Sequence, residues 1–286
     1  SRLRLHGSFR VEEYRAPTFK VDVGARQAGL TRGKDAGFTA TADYLFGAPM
    51  GGAQISWSAL GQSGWFGAPA WDGYVFSDYA HYSGLGWEDP HYGQTFSGQG
   101  TLDEDGSLEF GFVTDMDDMK GPVDFSVEAT VTGPDLQQVT GRTRLTVHPA
   151  DVYVGLKTDS TLVAAKDEVR VDAVVVDHDG NSVAGRPIQI QLIRRQYEYV
   201  QGEGMYGDTY GTFEAVDSKV GSCKTKSAKK AVGCTFKVPG PGRFVLRAIA
   251  RDDEKRSTAS SVGLWAWGSG AVTWEDSDEL VVKMHP

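Results

Sequence analysis

The chain has 286 residues, 40% hydrophobic and 23% charged, which is enough for two ordinary domains each with its own core. A formal net charge of -9, with no Lys/Arg cluster interleaved with aromatics, argues against nucleic acid as a partner. No apolar run of about 18 residues is present, so this segment carries no helical membrane span.

Glycines number 36, and 7 Trp, 11 Tyr and 13 Phe stand against 5 Met, a balance that favours strands and turns. Residues 1–5 contain neither a Met nor an apolar leader, and the chain is expected to be a piece of something larger. Phe9 and Val11 alternate with polar residues as in a strand, and the pattern resumes at 19–23 after Pro17. Pro17 cannot donate to a ladder and restricts Ala16, so residues 1–16 read as the last strand of a preceding domain. Alternating runs follow at 38–46, 53–57, 107–113, 123–131 and 142–147. A second set occupies 152–156, 168–176, 187–193, 234–238, 243–250 and 260–267. Helical periodicity is absent throughout. The expected fold is all-β: tandem antiparallel β-sandwiches of the fibronectin-III or immunoglobulin kind, spanning 17–148 and 149–268. The segment 269–286 reads as the start of a following domain.

The two sets look like copies of one unit. Pro49-Met50-Gly51-Gly52-Ala53 aligns with Ser182-Val183-Ala184-Gly185-Arg186, and 123–131 aligns with 242–250. The first copy is longer between these landmarks, and the extra residues fall in 61–95. Among its glycines this insertion holds Trp65, Phe66, Trp71, Tyr74, Phe76, Tyr79, Tyr82, Trp87 and Tyr92, with no steady period. Trp65, Trp71, Tyr74, Tyr79, Trp87 and Tyr92 form a candidate ligand or interdomain surface. Either exposed rings stack on sugars, or the loop packs on itself and fills a seam between domains.

Cys223 and Cys234 are separated by residues that include Lys224, Lys226, Lys229 and Lys230. Their even count suits a disulfide and an oxidising compartment; two independent reduced thiols are the alternative. Asp103-Glu104-Asp105-Gly106, Asp115-Met116-Asp117-Asp118 and Asp177-His178-Asp179-Gly180 begin like calcium loops but lack the later ligands and terminal Glu, so turns are expected. His6, His81, His91, His148, His178 and His285 are scattered without zinc spacing, and no nucleophile elbow or phosphate-cradling glycine loop occurs. The reading assigns no catalytic residue, metal or cofactor.

Three stretches resemble the macroglobulin-like domains of the alpha-2-macroglobulin and complement family. Phe9-Arg10-Val11-Glu12-Glu13-Tyr14-Arg15-Ala16-Pro17-Thr18-Phe19-Lys20-Val21 is similar to that family's interdomain junction, and Ala42-Asp43-Tyr44-Leu45-Phe46-Gly47-Ala48-Pro49-Met50-Gly51-Gly52-Ala53 to the segment following it. Val175-Val176-Asp177-His178-Asp179-Gly180 through Val183-Ala184-Gly185-Arg186 resembles the same turn one domain later. The resemblance implies a bacterial protease trap, in which cleavage of a bait segment collapses a shell of sandwiches around the protease. It would make these the third and fourth macroglobulin-like domains, upstream of the bait and thioester regions, in a periplasmic or extracellular protein. Its implied partners are the neighbouring domains of the parent chain and, through the full-length protein, target proteases. Neither cysteine matches the family's Cys-x-Glu-Gln thioester, and residues 201–210 are an alternative cleavable loop. A carbohydrate-binding or adhesive cell-surface module using 61–95 is the competing reading.

Overall fold

The computed structural model describes residues 16–83, 93–117, 119–203 and 209–269. The strand expected at Phe9 and Val11, the first half of the junction motif, all but the first residue of the 269–286 segment, positions 204–208 of the alternative cleavable loop, Trp87, Tyr92, His6, His91, His285 and Asp118 lie outside them.

The regular structure of the described residues is almost entirely strand. The first half contains β1 (Phe19–Ala25), β2 (Gly29–Thr31), β3 (Asp35–Tyr44), β4 (Gln54–Ser63), the one-turn helix α1 (Tyr79–Tyr82), β5 (Thr95–Thr101), β6 (Ser107–Val113), β7 (Val123–Thr132) and β8 (Gln138–His148). The second half contains β9 (Tyr153–Thr158), β10 (Leu162–Ala164), β11 (Glu168–Val176), β12 (Pro187–Glu203), β13 (Thr209–Lys226), β14 (Val232–Lys237), β15 (Gly242–Arg251) and β16 (Ser257–Trp267).

Each half folds as a sandwich of one three-stranded and one five-stranded sheet. The first has the orders β1-β3-β6 and β2-β8-β7-β4-β5; the second has β9-β11-β14 and β10-β16-β15-β12-β13. Strand for strand these are the same topology, including the short second strand that runs parallel to the eighth. The aligned turns are equivalent too. Met50 N–H donates to the Ala42 carbonyl, as Val183 N–H does to Val175, and Gly52 and Gly185 both sit at left-handed φ, +79° and +85°. A side chain would be strained at that φ, which explains the glycine in both copies.

Alternation decides what is buried. Along β7, Val123, Phe125, Val127, Ala129 and Val131 face inward between polar neighbours, and Phe38, Ala40 and Ala42 do the same from β3. Burial of one such large apolar side chain contributes roughly 1.5–3 kcal/mol. The second core gathers Val154 and Leu156, Val171, Ala173 and Val175, Ile188, Ile190 and Leu192, and Phe244 and Leu246. Cys223 and Cys234 form a disulfide, Cα to Cα 6.4 Å, that joins β13 of one sheet to β14 of the other.

Several elements escape the sequence reading. Strands β5 and β13 are rich in Gly, Ser and Thr, so no apolar alternation announces them; pairing with β4 and β12 creates them. Strand β12 runs to Glu203, well past the expected end at 193, because β13 continues to pair with it beyond the edge of the sandwich. The insertion begins later than expected, since β4 extends to Ser63, and it connects β4 with β5 through 64–94.

Candidate functional site

Among the described residues, a dense set of polar and aromatic contacts lies where residues 64–83 leave their own sandwich and wrap an edge of the other. Strand β9 is an edge strand, paired only with β11 in its sheet, and edges normally need cover. Val75 supplies it. Its N–H donates to the Leu156 carbonyl at 2.8 Å, and the Leu156 N–H returns a bond to Val75 at 2.9 Å.

On either side of that crossing, residues 66–76 lie on the outer face of the three-stranded sheet. Phe66 stacks on Tyr153 at 3.8 Å and meets Phe76 edge-on at 5.4 Å. Phe66, Ala68 and Phe76 are buried with Tyr153, Val174 and Val176, and Trp71 and Tyr74 pack against this cluster. Gly155 is required here, because a β-carbon would stand 2.6 Å from the Phe76 ring. The Trp71 indole N–H donates to the Gly180 carbonyl at 3.2 Å, and Lys157 donates to the Asp72 carbonyl and lies over the Tyr74 ring. Burial, helped by the Asp172 charge, holds the Tyr74 phenol above its ordinary pKa.

After the crossing, α1 lies on the outer face of the five-stranded sheet. Asp78, buried, takes Nε of Arg247 at 2.9 Å and Nη2 at 2.7 Å. Arg195 has no exposed side-chain surface. Its Nε and Nη2 hold both oxygens of Asp217 at 2.8 Å. Its remaining N–H groups donate to the carbonyls of Ser83 and His81, each at 2.6 Å, and of Ala80 at 3.2 Å. These are carbonyls that the end of a short helix leaves without intrahelical partners. Ser261 N–H donates to the Ser77 carbonyl, and Ser261 Oγ accepts from His81 N–H. The His81 ring is half-buried between Arg195 and Arg247, and burial, then the Arg247 charge, keeps its pKa below the ordinary value.

A second joint surrounds residues 149–151. Arg256, buried, pairs with Asp252 and Asp151 at 2.7 Å each and donates to the Arg32 carbonyl. Asp151 also accepts from Thr31, and Arg32 donates to the Pro149 carbonyl. Burial raises the Asp252 pKa, but hydrogen bonds from the Asp151 N–H and from Arg256 outweigh it and leave the carboxyl below its usual range. His148 stacks on His178 at 3.8 Å, with its Nδ1 at 2.8 Å from the Tyr153 hydroxyl. Burial, with the neighbouring His178, pushes the His148 pKa down to about 4.

Four of the six aromatic candidates are among the described residues, and they divide. Trp71 and Tyr74 lie at the seam, whereas Trp65 and Tyr79 are 75% and 74% exposed. The Asp-rich turns use their carboxylates locally. Asp177 Oδ1 accepts from the N–H groups of Asp179 and Asn181, and Ser107 Oγ donates to Asp103 and Asp105. Asp117 pairs with Arg32. Sequence reasoning passed over Arg195, Asp217, Asp78 and Arg247. One signal was available: Arg195 falls in phase with Ile193 and Tyr197, an outward stripe too apolar for open solvent.

The fold defines two tandem antiparallel β-sandwiches of one topology, of the macroglobulin-like kind. Residues 18–149 match the family model described as the bacterial alpha-2-macroglobulin MG5 domain. An alpha-2-macroglobulin homolog from Nostoc sp. is 24% identical over 288 aligned residues, which take in 99% of this chain and 15% of the relative. The native conformation of Escherichia coli alpha-2-macroglobulin superposes with a TM-score of 0.62 at 19% identity, over 94% of this chain and 18% of that one. Salmonella alpha-2-macroglobulin reacted with methylamine superposes with a TM-score of 0.60 at 19% identity, over 89% of this chain and 17% of that one. The first sandwich is thus similar to a domain of the bacterial alpha-2-macroglobulins, and the chain spans 15% of the length of the curated relative it matches. The matching model is that of MG5, where the resemblance implied a third domain.

Proposed function

We propose that this chain is a structural, non-catalytic segment of an alpha-2-macroglobulin-like endopeptidase inhibitor, supplying two consecutive sandwiches of the shell that encloses a protease. The observation that carries the reading is the MG5 match over residues 18–149, joined to a relative aligned along 99% of the chain. The seam chemistry agrees with a mechanical role. Its buried charges are matched in pairs and directed at main-chain groups of the other sandwich, an arrangement suited to fixing orientation.

In this reading the domains are 17–148 and 149–268, flanked by the last strand of one domain at 1–16 and the first of another from 269. The partners are neighbouring domains of the parent chain and, through the whole protein, target proteases. The Cys223–Cys234 disulfide favours an oxidising location such as the periplasm or cell exterior. The test is to mix the intact parent with a broad-specificity protease and follow its retention, its activity on a small peptide and its activity on a large protein. Retention with selective loss on the large substrate is expected. Free protease with a merely degraded parent would leave the likeness one of fold alone.

A further inference from the structure

Strands β4 and β5 are antiparallel neighbours in one sheet, and a tight turn suffices to connect such a pair. Instead the chain leaves at Ser63, crosses to the second sandwich, and returns at Thr95 to the sheet it left. Both ends of this excursion are anchored in the first sandwich while its middle grips the second from two sides.

The grip is bipartite. On one face Phe66 and Phe76 cover Tyr153, Val174 and Val176, which would otherwise leave apolar surface in water. On the other face Arg195 and Arg247 hold α1 through three carbonyls and the buried Asp78. Between them the Val75–Leu156 bridge adds the connection to the edge of β9. A separate joint lies at the covalent linker, where Arg256 connects Asp151 to the Arg32 carbonyl. Two bodies joined at one point can swing; joined at two separated places, they cannot rotate about the linker without breaking one attachment.

We propose that residues 64–83 form a clasp that locks the two sandwiches into one rigid, cooperatively unfolding body, so that any hinge of the parent protein lies outside this pair. The inference does not rest on the protease-trap reading and would hold for any parent. Its release would separate a row of charge-paired main-chain contacts and uncover the Val174–Val176 face together, which makes the fastening closed or open with little between.

The test uses the whole 286-residue chain. Its cysteines are paired, so introduced ones label cleanly. Spin labels go at Glu104→Cys in the first sandwich and Lys229→Cys in the second, both exposed and away from the clasp. Electron double resonance then reads the distance distribution in the otherwise unaltered chain and in a variant carrying Val75→Pro, Arg195→Met and Asp217→Leu. Hydrogen exchange in β7 and β15 reports in parallel whether each core is intact. A single narrow distance that becomes broad in the variant, with both cores still protected, is expected. A broad distribution before substitution, or one as narrow after it, overturns the proposal. If the triple variant loses a core, Val75→Pro alone decides: it removes one hydrogen bond to β9 and no core side chain, and must broaden the distance or split the single calorimetric transition into two.

Discussion

Arg195 is a long cation in a strand whose neighbours Ile193 and Tyr197 are buried, and every one of its N–H groups has an acceptor. A guanidinium does this because its donors form a fixed planar fork, with two arms for a carboxylate and the others for carbonyls. Truncation is therefore expensive. Arg195→Met strands Asp217 and the α1 carbonyls, and should lower stability by about 3–5 kcal/mol, read as a shift in the urea midpoint. Trp71 tests the other half of the clasp. It is only half-buried, so Trp71→Ala should cost less than a core tryptophan, about 2 kcal/mol, seen as a melting temperature lower by several degrees. An unchanged melting temperature would place the ring outside the packed seam.

At the scale of elements, β11 shows how the seam is written into a strand. Its first residues alternate, but Ala173-Val174-Val175-Val176 is continuous apolar sequence, because the core covers one face and the insertion covers the other. Such a run says that both faces are covered; it does not say by what. The Cys223–Cys234 disulfide acts at the opposite edge, joining β13 to β14 where each is the outer strand of its sheet. Replacing both cysteines by serine should reduce stability by about 2–3 kcal/mol, as expected for a short closed loop. The check is thermal unfolding of the variant beside the parent chain with and without reductant; only the parent should respond.

For the whole molecule, acid should act first on the seam. The His148 pKa lies at about 4 against an ordinary 6.5, so the unfolded chain binds this proton more readily than the folded one. Its contribution is complete above pH 6.5 and is lost as the pH falls towards 4. His81 acts in the same direction. Asp252, held below the usual carboxylate range, adds stability that is lost when the pH falls through its folded value. With solvent screening of a ring that is not fully buried, His148 should account for about 2 kcal/mol between pH 7 and 4. Calorimetry across that range should show the melting temperature falling on acidification, and His148→Gln should flatten the profile; a profile as steep in the variant would assign the loss to other groups.

Most strands along the chain, their alternation, and the repeated turn with its obligatory glycines at 52 and 185 were legible in the residues. Each is local: a period of two fixes which side chains share a face, and a left-handed φ calls for glycine wherever it occurs. Strands β5 and β13 were not legible, because their Gly, Ser and Thr residues become strands only through a neighbour's hydrogen bonds. The aromatic insertion lay between the two cases. Its composition announced that something would be covered, and only the tertiary structure decided what. Residues 64–83 meet their partners on β9, β11, β12, β15 and β16, far along the chain, and contacts of that range have no periodicity in the sequence to record them.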